Sequence, residues 1–173
     1  MATAVLVIDL IKGFMEEGHN LYLGHRGRSI IPNVARLLER EQAKSSKIIY
    51  LCDNHDPDDD EFKIFGRHCV RGTVETEIIP ELSRYAGEYI PKKRYSSFYD
   101  TTLDDSLNTE RPDKLIVCGV CTEICVCHTV ADARNRDYHT EVALNCVAPC
   151  EEASHEYALQ HMEKVLGAKM VTV

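Results

Sequence analysis

L115-I-V-C-G119-V-C-T-E-I-C125-V-C-H-T-V-A-D-A133 is the stretch from which the rest of the chain can be read. Leu115–Cys118 is a short apolar run, the pattern of a buried strand, and Gly119 ends it. Thr122 and Glu123 are helix-start signals, and glycine-free sequence follows to about Arg136. The stretch therefore predicts a strand–turn–helix unit with Cys125 in the first turn of the helix. Free N–H groups and the positive dipole end favour a thiolate there. This argues for Cys125 as a nucleophile, although Cys118, Cys121 and Cys127 stand beside it.

Similar units lie on either side. Thr3–Leu10 is a continuous Val/Ile/Leu-rich run, as in a strand covered on both faces. Ile11–Arg28 is glycine-punctuated and reads as loop. Ser29 is placed to cap a helix reaching about Ala43, with Ile31, Val34, Ala35, Leu37 and Leu38 at helical spacing. Lys47–Cys52 and Glu88–Pro91 read as strands two and three, and Thr140–Val147 and Lys169–Val173 as the last two. Short helices are expected at Thr76–Leu82 and Thr102–Leu107, and an amphipathic one at Glu151–Leu166, stopped by Gly167. Asp53–Gly72 is polar and aperiodic, and loops of that length are usually functional or mobile. Buried strands alternating with helices indicate an α/β fold, a parallel sheet with helices on both faces. Such sheets bind ligands at the C-terminal ends of their strands.

The 173 residues predict one domain, 1–173, with 44% hydrophobic and 28% charged residues. A net charge of −8 argues against a nucleic-acid or anionic-membrane surface, and no run approaches the roughly 20 apolar residues of a membrane span. The N-terminal apolar run breaks at Asp9 and lacks a basic flank, so it reads as a strand and not a signal peptide. Eight cysteines, several in apolar strands, read as reduced buried thiols, and the expected location is cytoplasmic.

Three groups stand at predicted strand ends: Asp9 after strand one, Lys92 after strand three and Cys125 after strand four. In a parallel sheet these ends share one rim. An acid, a cation and a thiol together suit nucleophilic catalysis, with Asp9 accepting the thiol proton and Lys92 stabilising the charged pair. Spacing alone leaves open a loop-capping Asp9, a solvated Lys92 and a packed Cys125.

The set D9-L-I-K-G-F14, K92-K-R-Y95-S-S-F98 and G119-V-C-T122-E-I-C125-V resembles the cysteine hydrolases of the isochorismatase-like superfamily, over essentially the whole chain. The resemblance implies a three-layer αβα sandwich with a six-stranded parallel sheet and a catalytic triad of Asp9, Lys92 and Cys125. It also implies a cis peptide at Val120–Cys121 and an oxyanion hole formed by the backbone N–H groups of Cys121 and Cys125. A homo-oligomer is the usual state of such proteins.

The loop from Asp53 to Thr73 bears on the substrate. Two imidazoles and a carboxylate, Asp53, His55 and His68, make a plausible shell for a divalent ion with positions left open. The set resembles the metal site of nicotinamidases, with Zn²⁺ as first choice and Mn²⁺ or Fe²⁺ as alternatives. By the same resemblance Phe14, Phe65 and Tyr95 contact the substrate. Two features depart from that pattern: F65-G-R67 stands where Trp-Pro is common, and acidic residues stand where some relatives carry a further His. The run Asp56, Asp58, Asp59, Asp60 and Glu61 reads as a solvated acidic face. His128 reads as packed or solvated, although it stands three residues from Cys125.

The expected function is thus a metal-containing cysteine amidohydrolase converting nicotinamide to nicotinate and ammonia through a Cys thioester, within NAD salvage. One alternative keeps the fold and triad but acts on another small amide, a carbamoyl compound or a ureido acid. A vinyl-ether hydrolase of the isochorismate type would leave the metal-ligand set idle. A metal-cluster module built on Cys118, Cys121, Cys125 and Cys127 is the non-enzymatic alternative, although Cys125 and Cys127 splay apart on a helix.

Overall fold

In a computed structural model describing residues 2–173, six strands form one sheet in the order β3-β2-β1-β4-β5-β6. They are β1 (Thr3–Ile8), β2 (Lys47–Asp53), β3 (Glu88–Lys92), β4 (Lys114–Val120), β5 (Thr140–Ala148) and β6 (Lys169–Val171). Every pairing is parallel. The chain works outward from β1 to β3 and then returns to lay β4 on the other side of β1. The reversal puts a topological switch point between β1 and β4, where the strand ends diverge and leave a crevice.

The helices are α1 (Lys12–Met15), α2 (Gly24–Arg28), α3 (Ile31–Ala43), α4 (Phe62–Phe65), α5 (Leu103–Glu110), α6 (Cys127–Asn135) and α7 (Glu152–Lys164). Strand alternation sends Val5 and Val7 to one side, where they pack with Val34, Leu37 and Leu38 of α3. Ala4, Leu6 and Ile8 face the opposite side, with Leu103 and Leu107 of α5, Val130 and Ala133 of α6 and Met162 of α7. The result is the expected αβα sandwich with two apolar layers. No helix among the described residues is long and apolar enough to cross a membrane.

Several local expectations need correction. Ile11–Arg28 is not all loop, because it folds into α1 and α2. Ser29 does not cap α3, which begins at Ile31; its hydroxyl donates to the Arg26 carbonyl instead. Thr76–Leu82 is not a helix. A 3₁₀ turn covers Val74–Thr76, and Tyr50 Oη then bonds the Leu82 and Tyr85 carbonyls, satisfying the irregular backbone from the sheet. The helix after β4 begins as a π-helical turn, Thr122–Val126, before α6. Thr122 provides no side-chain cap, since its hydroxyl pairs with His155 Nδ1 at 3.0 Å.

Candidate active site

Strand register assembles the site. Ile8 pairs with Leu51 on one side and Gly119 on the other, and Asp53 pairs with Lys92. The residues that follow therefore project from one rim. Asp9 leaves β1 at φ +54°, a left-handed conformation that Asp tolerates better than most residues, and its amide donates to the Leu51 carbonyl at 2.8 Å. Gly119 has φ +119°, and a Cβ there would lie 2.0 Å from the Ile8 carbonyl oxygen. Only a residue without a Cβ can pass so close to the end of β1 there, and β4 continues to Val120, one residue beyond the Gly119 stop expected from the sequence. The Val120–Cys121 peptide is cis.

Asp9, Lys92 and Cys125 lie together and are buried. Lys92 Nζ is 2.9 Å from Asp9 Oδ2 and 3.5 Å from Cys125 Sγ, and it also donates to Asp53. Asp9 Oδ1 accepts the Asp53 amide at 2.8 Å. Asp9 Oδ2 is buried and faces the Lys92 ammonium, which also touches the Cys125 thiol.

The electrostatics follow from burial and pairing. Burial, reinforced by the neighbouring Asp53 charge and only partly offset by Lys92, raises the Asp9 carboxyl to about 7. Burial would raise Asp53 too, but Lys92 and His55 outweigh it and hold Asp53 at about 2. Burial works against the Lys92 ammonium, yet Asp53 and Asp9 together keep it well above its ordinary value. Burial pushes the Cys125 thiol up, against the pull of Lys92. The resting arrangement is a neutral thiol beside a carboxylate that titrates near neutrality, with a fixed cation touching both.

Asp53, His55 and His68 converge from the end of β2 and the following loop, each offering a ligand atom within 4.8 Å of the others. His55 Nε2 is 3.6 Å, and His68 Nε2 3.9 Å, from Asp53 Oδ2. Donor atoms about 2.1 Å from one ion lie roughly 3–4 Å from each other, so this spacing fits a divalent cation. Three further features fit. His55 Nε2 is buried without a hydrogen-bond partner, while its Nδ1 faces Asp59 Oδ2 at 3.1 Å. His68 donates from Nδ1 to the Gly66 carbonyl at 2.8 Å, leaving the Nε2 lone pair towards the site. The surrounding carboxylates also exceed the cations available: although burial disfavours the His55 cation, Asp53, Asp59 and Glu61 raise its pKa.

The acidic run is only partly a solvated face. Asp58 and Asp60 are at the surface, and Asp56 pairs with Arg71 and Lys93. Asp59 and Glu61 turn inward. Asp59 orients His55 and takes Arg94 at 2.9 Å. Glu61 is 8% exposed, and its Oε1 lies 4.0 Å from His68 Nε2. Nothing in a string of five carboxylates marks these two from sequence, because the successive turns between Asp56 and Lys63 set which way each one points.

Between the thiol and this group lies a cavity of about 280 Å³. Phe14, Phe65 and Tyr95 line it, together with Leu21, Leu23 and Ile124. The Phe65 ring stands edge-on to Tyr95 at 6.2 Å and to His68 at 6.4 Å. The Asn20–Leu23 wall belongs to the segment read as loop and carries no sequence signal of its own. His128 lies outside the cavity lining. It is exposed, packs on Tyr95 at 5.4 Å and points Nδ1 at the Ile124 carbonyl. Cys118 is buried under β1, its thiol 3.6 Å from the Leu6 carbonyl. Among the described residues, Cys118, Cys121, Cys125 and Cys127 form no metal-binding group with one another.

A nucleophile-bearing turn after β4, facing carboxylate and ammonium groups at the rim of a six-stranded parallel sheet, is the framework of a hydrolytic enzyme with a cysteine nucleophile. The chain belongs to the isochorismatase family, whose domain model matches residues 3–173, and it is a hydrolase of the kind that acts on amide C–N bonds. A protein described as a probable inactive nicotinamidase of Arabidopsis thaliana is 32% identical over 99% of this chain and 92% of its own. The crystal structure of a pyrazinamidase/nicotinamidase of Streptococcus mutans superposes with a TM-score of 0.90 at 30% identity, covering 98% of this chain and 100% of that one. An N-carbamoylsarcosine amidase of Thermoplasma acidophilum gives 0.90 at 29%, covering 99% and 96%. A pyrazinamidase of Pyrococcus horikoshii in complex with zinc gives 0.91 at 28%, covering all of both chains.

Proposed function

We propose that this protein is a metal-containing cysteine amidase that hydrolyses nicotinamide to nicotinate and ammonia. The observation that carries the substrate is the composition of the cavity wall. It joins aromatic and aliphatic side chains to Asp9, Asp53, Glu61 and His68, and no Arg or Lys lines it. Lys92, below the floor, is already engaged by two carboxylates. A ureido acid or carbamoyl amino acid brings a carboxylate that would find acidic neighbours and no free cation. A neutral, flat pyridine carboxamide meets rings, with its amide towards Cys125 and its ring nitrogen towards Asp53, His55 and His68.

Asp9 takes the Cys125 proton through Oδ2, and Lys92 holds the resulting thiolate by charge. The thiolate attacks the carboxamide carbon. The Cys121 and Cys125 backbone N–H groups stabilise the oxyanion, such donors contributing about 3 kcal/mol each. Asp9 returns the proton to the departing ammonia, then activates water to open the thioester. Asp53, His55 and His68, with Glu61 as a further donor, would hold the ion, with Zn²⁺ as first choice. A bound ion supplies a Lewis acid that orients and polarises the substrate.

The test is ammonia release from nicotinamide, N-carbamoylsarcosine and ureidoacrylate by zinc-loaded protein and by the Cys125→Ala variant. Turnover of nicotinamide alone, abolished in the variant, is expected. Turnover of a carbamoyl or ureido acid in preference would move the substrate to that class, while full activity in the variant would end the thioester mechanism.

A further inference from the structure

We infer that Glu75, which does not line the cavity, is the positioning residue that sets both imidazoles of the metal site, a role that rests on reading Asp53, His55 and His68 as ligands. Cys69 joins the two histidines through its backbone. It directly follows His68, and its carbonyl accepts the His55 amide at 2.9 Å. The His55 carbonyl in turn accepts the Arg71 amide at 2.8 Å, so the stretch 69–71 bridges His55 in parallel. Cys69 is buried and stands at φ +43°, a conformation that residues with a Cβ adopt rarely. Such a conformation persists only where the surroundings hold it.

Glu75 supplies that hold. Its Oε2 accepts the Cys69 amide, and its Oε1 lies 3.1 Å from His19 Nδ1. Gly13 completes the packing. A Cβ there would lie 2.6 Å from Cys69 Sγ and 3.2 Å from Glu75 Cβ, so glycine lets α1 press against both. Phe14, next in α1, is thereby placed with its ring 6.1 Å from that of His68. Without the Glu75 acceptor Cys69 relaxes from positive φ. The backbone that fixes His68 on one side and His55 on the other turns with it, and both imidazoles leave their positions beside Asp53. Loss of an outer partner of this kind typically weakens metal binding about 10–100-fold.

Full-length Glu75→Gln and Glu75→Ala proteins separate the hydrogen bond from the charge. Both lose the charge, but glutamine keeps an oxygen for the Cys69 amide and can turn its NH2 to His19 Nδ1. Zinc competition titrations should place Glu75→Ala about tenfold or more weaker than wild type and Glu75→Gln within about threefold. Backbone hydrogen exchange on the metal-free proteins reads the geometry without metal or substrate. The His55 and Arg71 amides should exchange about tenfold or more faster in Glu75→Ala and near the wild-type rate in Glu75→Gln, while the β1 amides keep their protection. Wild-type zinc affinity in Glu75→Ala, or an equal loss in both variants, overturns the role. Faster exchange across β1 as well would make Glu75 a general support of the fold and overturn it too. Should wild-type protein bind no zinc, the metal reading falls. The exchange of the His55 and Arg71 amides then supports or overturns the placement of the two histidines by Glu75.

Discussion

The Lys92 ammonium stands 2.9 Å from the Asp9 carboxylate, and each residue is 1% exposed. Such a pair is held by what surrounds it, since two charges lose their hydration on burial and recover it only through close partners. Here Lys92 also carries Asp53, so one cation balances two buried acids.

Removing that cation should be costly. Lys92→Met keeps the volume but leaves Asp9 and Asp53 side by side with no counter-charge, and breaking a buried pair typically costs about 3–5 kcal/mol. Urea unfolding of metal-free protein should show a loss of that order at neutral pH. The loss should shrink in acid as Asp9 takes up a proton. A change below about 1 kcal/mol would mean that the acids are neutral in the wild-type fold.

The same group sets the pH dependence of activity. Asp9 must be ionised to accept the Cys125 proton, and its carboxyl stands at about 7 in the fold. The kcat/KM profile should therefore rise with pH through an acidic limb near 7. The stability term has the opposite sign. With its folded value raised above the ordinary 3.8, Asp9 contributes stability that is fully present below 3.8 and lost as pH rises through about 7. Substituting Asp9→Asn should remove that slope from the unfolding free energy.

Metal affinity should depend on a residue that need not touch the metal. Asp59 holds His55 Nδ1 at 3.1 Å, leaving Nε2 free, and loss of such an outer partner typically weakens metal binding about 10–100-fold. Zinc competition titrations should place Asp59→Asn in that range and His55→Ala beyond it. Equal zinc affinity in wild type and His55→Ala would remove His55 from the site.

Glycine substitutions should separate close packing from conformational cost. Gly119→Ala drives a Cβ to 2.0 Å from the Ile8 carbonyl oxygen at φ +119°, and the expected loss is about 3 kcal/mol or more. Gly18 also has a positive φ, +98°, but nothing lies within 4 Å of its would-be Cβ. Gly18→Ala should therefore cost only about 1–2 kcal/mol. Thermal melts of the two variants give the comparison.

Much of this is legible in the amino-acid sequence. Runs such as Thr3–Ile8 and Leu115–Cys118 are apolar on both strand faces, which only a sheet covered on both sides accommodates, so the layer architecture follows from local pattern. Asp9, Lys92 and Cys125 stood out because polar groups at the ends of such runs have one rim to share. The direction of Asp59 and Glu61 was not legible, nor were the Asn20–Leu23 wall and the approach of Cys150. These depend on short helices and turns whose few residues carry little periodicity.

The stretch from Leu115 to Ala133 shows the division most plainly. Sequence by itself determined that a buried strand leads into a helix whose start presents Cys125, because burial and helix-start signals are local properties of the chain; the strand itself runs one residue past Gly119, to Val120, against the expectation that Gly119 ends it. Tertiary structure alone decided that the turn is π-helical, that Lys92 lies 3.5 Å from the Cys125 sulfur, and that Cys150 joins Cys121 in the cavity lining. Those relationships depend on strand register and on the loop after β5, where Glu123 accepts the Cys150 amide and Arg26 donates to the Cys150 carbonyl. They arise when separate segments pack together, and no spacing within one segment encodes them.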